Sequence, residues 1–491
     1  MFKPFKQSTL GGDTIKLTFS KAISMIVSML VTMILSRYST YTEYGTYSQL
    51  LLVINLASTL LTFGLPSSIN YFIARSDDEK EKGLFLSVFY TLITFLSLIT
   101  GLVLVLSVPF LELYFHNRNI KCFWMFLAIY PWTLIIGGTV ENFLIVYKKT
   151  NVLALFRVVN CCSILGCAFI VLRFNLGFSE YLKYYLLINI FFTIVIYCIV
   201  FHLNSRIRIS FNKNVIVSIL AFSIPLGMAS MIGTLNTEVD KLLIGNLMTT
   251  EEMAIYTNAA KELPLNIISV SVTAILLPHL TKMVKQNRGK EAVHLWCCAT
   301  ELSLTIISVI VSIVFVYAKD VISVLYSEKY LNGINVFRIY SSIMLLRVTY
   351  FGMILNAYGK TKKILTYTVL SLIVNMILNP MFFYFFGMIG PALATLLSLI
   401  TIMVLQLIST SKITGVSIYM VYPWKAASNI LLINIALGIL FGYIKGKSRL
   451  DIDLGSVEES IILGGIWLAI YYFIMRIRII NNWNTLNYGG L

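Results

Sequence analysis

Polar and apolar positions along this chain change on a long scale. Long apolar runs are separated by short polar breaks from one end to the other. A membrane helix needs about 20 mainly apolar residues. Such runs predict about fourteen transmembrane helices, at residues 14–36, 46–74, 84–113, 122–146, 152–173, 182–203, 215–240, 253–279, 294–317, 338–357, 364–386, 388–411, 424–444 and 460–480. The runs are about twice too long for membrane strands and lack their period-two alternation. The predicted class is an all-α polytopic membrane protein.

The breaks repeat. Glu43 to Ser48 reads E-Y-G-T-Y-S, and Glu252 to Thr257 reads E-M-A-I-Y-T, 209 residues on. Tyr147 to Asn151 reads Y-K-K-T-N, and Tyr358 to Lys362 reads Y-G-K-T-K, 211 residues on. Two landmarks at nearly one offset predict a duplicated six-helix unit. An even helix count makes the repeats parallel, related by an axis along the membrane normal. The expected organisation is a lobe over 1–203, a second over 204–411, and two added helices in 412–491. Two such lobes suit alternating access.

Composition supports this class and narrows it. Hydrophobic residues make up 58% of the 491 residues and charged residues 12%, against about 25% charged in soluble domains. The net charge is +16, but Lys and Arg sit mainly in the breaks, which argues against nucleic acid as a partner. With the N-terminus in the cytoplasm, the inner breaks hold clusters such as Arg75, Lys80, Lys82 and Lys282, Lys285, Arg288, Lys290. That bias places both termini in the cytoplasm. One outer break dissents, carrying Lys445, Lys447 and Arg449. The run at 14–36 is too long for a signal-peptide core and reads as a first membrane helix. The longest breaks, about 317–338 and 445–460, cannot form a domain, so no catalytic module and no cofactor is expected. The seven cysteines lie in apolar runs without C-x-x-C spacing, and the four histidines lack metal-ligand spacing; buried thiols and no metal are expected.

Further residues point to a family. The first predicted helix ends I-L-S-R at Ile34 to Arg37, and Glu43, Tyr44, Gly45 and Tyr47 follow. The second ends F-G-L-P at Phe63 to Pro66, then Y-F-I-A-R at Tyr71 to Arg75. Asp240 to Gly245 reads D-K-L-L-I-G, with Glu252, Ile255, Tyr256, Ala259 and Ala260 beyond. This pattern resembles the polysaccharide-exporting branch of the multidrug/oligosaccharidyl-lipid/polysaccharide exporter superfamily, the Wzx-type O-antigen and capsule flippases. It departs where Ala254 replaces the expected turn glycine of Gly45. The resemblance implies a flippase, not an enzyme. It would move an undecaprenyl-pyrophosphate-linked oligosaccharide across the bacterial inner membrane, alongside other membrane proteins of polysaccharide assembly. Another cargo on the same fold stays open: a peptidoglycan lipid precursor, teichuronic acid or a cationic drug. A membrane polymerase is the enzyme alternative. Asp451 and Asp453 form a D-x-D, but no outer break is large enough for such an enzyme.

A pyrophosphate crossing hydrocarbon needs compensating positive charge. The candidates are Arg347, Lys21, Lys261 and Arg157. Arg347 lies mid-run and can hold a phosphate bidentately; the alternative is a buried ion pair with Glu141 or Glu301. Lys21 and Arg157 lie nearer the cytoplasmic end, where snorkelling is the competing reading. Lys261 precedes Glu262 and Pro264 in a charged turn. Glu141 and Glu301 are candidates for ion coupling, with local pairing as the alternative. Asp240 with Lys241 reads as a local pair. Asn55, Asn70, Asn375 and Asn379 are intramembrane amides that bind sugar or tie helices. Pro66, Pro225, Pro264, Pro278 and Pro380 are potential kinks.

Overall fold

The computed structural model describes residues 10–76, 78–447 and 455–488. Among these every regular element is helical, and twelve helices are long and apolar enough to span a membrane. A bent pair, Tyr41–Thr62 with Leu65–Ile73, adds a thirteenth across a 51° break. The predicted span at 338–357 is broken into short pieces, which accounts for the difference from fourteen. The charges Lys3, Lys6 and Arg449 and the D-x-D at Asp451 and Asp453 lie outside the described residues.

Contacts divide the chain into two compact units, Met1–Ala254 and Ile255–Leu491. The first holds α1 (Leu10–Tyr38), α2 (Tyr41–Thr62), α3 (Ser68–Arg75), α4 (Glu79–Leu106), α5 (Val108–Tyr114), α6 (Trp124–Gly137), α7 (Val140–Val146), α8 (Thr150–Arg173), α9 (Phe178–Leu203) and α10 (Lys213–Leu247). Here α1 lies along α8, and α6 lies between α4 and α9. Phe85, Phe89, Ile93, Ile136 and Phe143 fill the core.

The helix α11 (Thr250–Ala259) leads into the second unit: α12 (Asn266–Lys285), α13 (Gly289–Val316), α14 (Ala318–Leu325), α15 (Ile334–Ile343), α16 (Met353–Ala357), α17 (Thr361–Phe386), α18 (Ile389–Thr414), α19 (Ile418–Val421), α20 (Trp424–Lys447) and α21 (Ser456–Tyr488). Here α17 and α18 pair along their lengths, and α13 packs against α20 and α21. Trp467 of α21 is fully buried, stacked on Phe441 of α20 with ring centroids 5.5 Å apart.

Element bounds recur at the spacing of the sequence landmarks. The helix α4 starting at Glu79 returns as α13 at Gly289, and α5 at Val108 returns as α14 at Ala318. Likewise α8 and α9 return as α17 and α18, 211 residues on. The corner motifs are the same physical device. Thr40 and Glu43 form a capping box, in which the Thr40 Oγ1 accepts the Glu43 N–H at 3.2 Å and the carboxylate accepts the Thr40 N–H at 2.9 Å. Thr249 and Glu252 repeat it at 3.2 and 3.0 Å. Each box satisfies two backbone donors that a helix start leaves open.

Gly45 is not the turn glycine its position suggested. It is helical, and a Cβ there would collide with the Thr250 carbonyl oxygen. Left-handed backbone lies instead at Phe63 (φ 47°) and Gly64 (φ 69°), and a Cβ on Gly64 would sit 2.7 Å from the Gly227 nitrogen. Backbone therefore meets backbone where α10 packs on α2. The helix α10 lies in the first compact unit.

In the second unit, α14 carries Asp320, which pairs with Lys445 of α20 and accepts hydrogen bonds from Ser456 at 2.6 Å and Ser460 at 2.9 Å. Burial pushes the Asp320 carboxyl up, but these bonds and the lysine charge outweigh it and hold the group below its ordinary value. The positive charge that dissented from the topology pattern at Lys445 thus has a local partner. All seven cysteines are free, but only Cys161, Cys167, Cys297 and Cys298 are buried. Cys122, Cys162 and Cys198 lie exposed, a correction to the expectation of buried thiols. A thiol in an apolar run can face lipid as readily as the core.

Candidate functional site

The most informative charges of the second unit stand where helices break. Between α15 and α16 the chain tightens to a 3-10 turn at Met344–Arg347 and then leaves helical geometry until Met353. Thr349 holds this break to α13. Its Oγ1 accepts the fully buried Trp296 indole N–H at 3.0 Å and the Thr300 hydroxyl at 3.1 Å. A second break lies between α11 and α12, at Lys261 to Leu265. Pro264 lacks the N–H an uninterrupted helix would use.

Arg347 and Glu262 meet across these breaks. Arg347 Nη1 donates to Glu262 Oε2 at 2.9 Å, with side-chain exposures of 29% and 22%. The bond is single and end-on. Among the described residues the other four guanidinium N–H donors have no partner, and Glu262 Oε1 has none. Arg347 is paired, as the alternative reading held, but with neither Glu141 nor Glu301. Position along the chain did not show that the break before Pro264 would bring Glu262 to it. Lys261 lies exposed in that same break, outside any helix.

The other candidates fall elsewhere. In the first unit Arg157 of α8 pairs with Glu141 of α7 at 2.6 Å. Beside them Asn70 of α3 donates to Asn142 Oδ1 at 2.9 Å, and Asn142 donates to the Pro66 carbonyl at 3.1 Å. Lys21 lies on the exposed face of α1. In the second unit Glu301 pairs with Arg478 of α21 at 3.2 Å, at the edge of an open cleft of ≈ 550 Å³ that Asn429, Asn481 and Asn482 also line. Asp240 is buried within α10, which runs on to Leu247, so it does not close that helix. Its Oδ1 accepts the Lys241 N–H, while the Lys241 ammonium pairs with Glu238 at 2.7 Å.

Asn55 is exposed on α2, whereas Asn375 and Asn379 are buried in α17 and bonded to each other. Pro66 and Pro264 mark real breaks; Pro225, Pro278 and Pro380 stay inside continuous helices. Among the described residues no cluster of His, Cys, Asp and Glu could hold a metal.

A model of the family described as "Polysaccharide biosynthesis protein" matches residues 34–335. The chain belongs to that family. Among solved structures, the fold is similar to that of a lipid II flippase, MurJ, in an inward closed conformation. The TM-score is 0.74 at 17% identity, covering 94% of this chain and 99% of that one. It is also similar to an inward-facing multidrug resistance MATE family transporter of the MOP superfamily. There the TM-score is 0.64 at 15% identity, covering 82% of this chain and 99% of that one. The Vibrio cholerae MATE transporter VcmN matches with TM-score 0.57 at 14% identity, covering 83% and 97%. No functionally described protein matches by sequence. Family and fold both agree with the multidrug/oligosaccharidyl-lipid/polysaccharide exporter superfamily that the sequence resemblance implied.

Proposed function

We propose that this polysaccharide-family exporter is a flippase for an undecaprenyl-pyrophosphate-linked oligosaccharide. It works in the bacterial inner membrane, with both termini cytoplasmic, by alternating access of two six-helix lobes at 1–203 and 204–411, with 412–491 as an addition. The protein does no covalent chemistry on its cargo. It supplies O-antigen, capsule or exopolysaccharide assembly.

The observation that carries this reading is Arg347: a permanently charged side chain at a helix break, partly exposed, with most of its donors unused. Irregular backbone at membrane depth is tolerated where it is buried in protein or lines a cavity. A guanidinium with a free edge there is chemistry for an oxyanion, best for a phosphate. Lys21, Lys261 and Arg157 add positive charge along the path. Glu141 and Glu301 supply carboxylates whose ion pairs can exchange for a proton or a cation.

A lipid-linked cargo is favoured over a cationic drug by extent of similarity. The likeness to the lipid II flippase runs over nearly the whole chain, and the two reported MATE matches stop at 82–83%. The test is deletion of the gene with extraction of lipid-linked saccharides. A complete lipid-linked repeat unit should accumulate while surface polymer disappears. Unchanged polymer together with new sensitivity to cationic dyes would transfer the protein to drug export.

A further inference from the structure

We propose that Glu262 is a resident stand-in for the cargo's phosphate. It neutralises Arg347 while the site is empty and gives up the guanidinium when a phosphate or pyrophosphate arrives. This rests on the reading of Arg347 above and adds how that site is kept ready and how it lets go.

The geometry is that of an exchangeable pair. Both side chains are partly exposed, and they share one end-on hydrogen bond where a guanidinium and a carboxylate can share two. Both are carried by irregular backbone, and each base is held from nearby: Pro264 two residues after Glu262, and Thr349 two residues after Arg347, fixed by Trp296 and Thr300. The exchange therefore needs only side-chain movement.

The repeat supplies an internal control. At the matching break of the first unit, Gly137 stands where Arg347 stands, and Val53 of α2 stands where Glu262 stands. The threonine after the break is kept, as Thr139, and its hydroxyl lies 3.3 Å from that of Tyr90, which matches Thr300. The break at Gly137–Thr139 thus forms without a charge, whereas α2 runs unbroken through Val53, so the break before Pro264 and both charges belong to the second unit alone. A carboxylate whose only task is to keep an arginine neutral behaves in this way.

Energetics favour the arrangement. A lone guanidinium in a low-dielectric site is costly, and Glu262 removes that cost in the empty state. An incoming phosphate carries more charge and takes the guanidinium bidentately, so it displaces one carboxylate oxygen. Net affinity is the difference of two attractions, which keeps binding weak enough for release.

The full chain in lipid nanodiscs, titrated with undecaprenyl pyrophosphate, tests this. Glu262→Gln should bind the probe roughly tenfold tighter, as expected for removing one competing charge contact, while export in cells falls because release slows. In an Arg347→Ala background the same change should have no effect on binding. Glu262→Asp, which keeps the charge and weakens the bond, should lie between wild type and Glu262→Gln, and it serves if the glutamine variant does not fold. Unchanged or weaker binding in folded Glu262→Gln, with binding still dependent on Arg347, would overturn the exchange alone. Equal binding by wild type and Arg347→Ala would remove the phosphate role of Arg347 and the exchange with it.

Discussion

The breaks at Gly137–Thr139 and Arg347–Thr349 occupy the same place in two copies of one helical plan, yet they do different work. In the first, the chain turns at Gly138 with ordinary right-handed backbone, and Thr139 meets Tyr90 of α4. In the second, Thr349 is gripped twice by α13, and a charged side chain replaces a glycine. The first break carries no charge. The second carries one, on which the proposed phosphate contact rests. A duplicated fold keeps what the backbone needs in both copies and is free to place chemistry in one. Other matched positions differ in the same sense. Exposed Phe110 of α5 corresponds to Asp320 of α14, which has α20 and α21 to hold. Asn117 donates to both Thr46 and Gln49, whereas the matching Ser327 is held at φ 103° with its hydroxyl unpartnered among the described residues.

The sharpest way to break the comparison is to make the second break resemble the first. Arg347→Gly should abolish surface polymer while leaving protein level and thermal unfolding close to wild type. Retained export, measured against protein level by immunoblot, would show that the charge is not what distinguishes the two breaks. Next come the threonine grips. Thr349→Val strands the Trp296 indole N–H in the core, and an unsatisfied buried donor costs about 1–3 kcal/mol. Thr139→Val loses the long contact with Tyr90 and a local bond to the Ile136 carbonyl at 2.7 Å, but strands no indole donor, and should cost about 0.5–1.5 kcal/mol. Denaturation of the two variants in detergent should rank them in that order.

Asp320 gives a smaller effect with a sign. A carboxyl whose value is lowered by folding contributes stability above its unfolded value, and that contribution disappears as pH falls through the lowered folded value. The unfolding temperature should therefore drop below about pH 4, and Asp320→Asn should show less of this drop. Smaller again, Ser327→Gly should stabilise the protein by about 1 kcal/mol, since a non-glycine residue at that φ stores strain of about that size. An unchanged melting temperature would mean the strain is not carried there. Smallest of all, Lys21→Ala on an exposed helix face should alter stability by less than about 0.5 kcal/mol. Export should fall all the same if Lys21 lies on the proposed cargo path, and unchanged export would remove it from that path.

Much of the fold was legible before any coordinates. Run lengths predicted the helices, and two short echoes predicted an offset that the bounds of α4 and α13, and of α8 and α17, then follow. The site was legible in part. Arg347 stands out because a charge inside an apolar run is rare and expensive. Its partner was not visible. Glu262 is 85 residues away in sequence, and Glu141 and Glu301 looked equally suitable until each proved to be held by its own arginine. The role of Gly45 was misjudged for a related reason. A glycine near a corner suggests a turn, and only the neighbouring carbonyl of Thr250 shows that it is there for close packing.

What the sequence by itself determined is whatever depends on neighbours along the chain. Hydrophobic length makes a membrane helix, and Thr-x-x-Glu makes a capping box. Those are local forces, and their residues lie within one or two turns of each other. Only the tertiary structure decided where two of the long runs would open, and which carboxylate would meet Arg347. Opening a helix at membrane depth leaves backbone groups that surrounding protein must satisfy or shield from lipid. The pairing of Arg347 with Glu262 likewise depends on how α11, α12 and α15 are brought together, and no spacing along the chain records that.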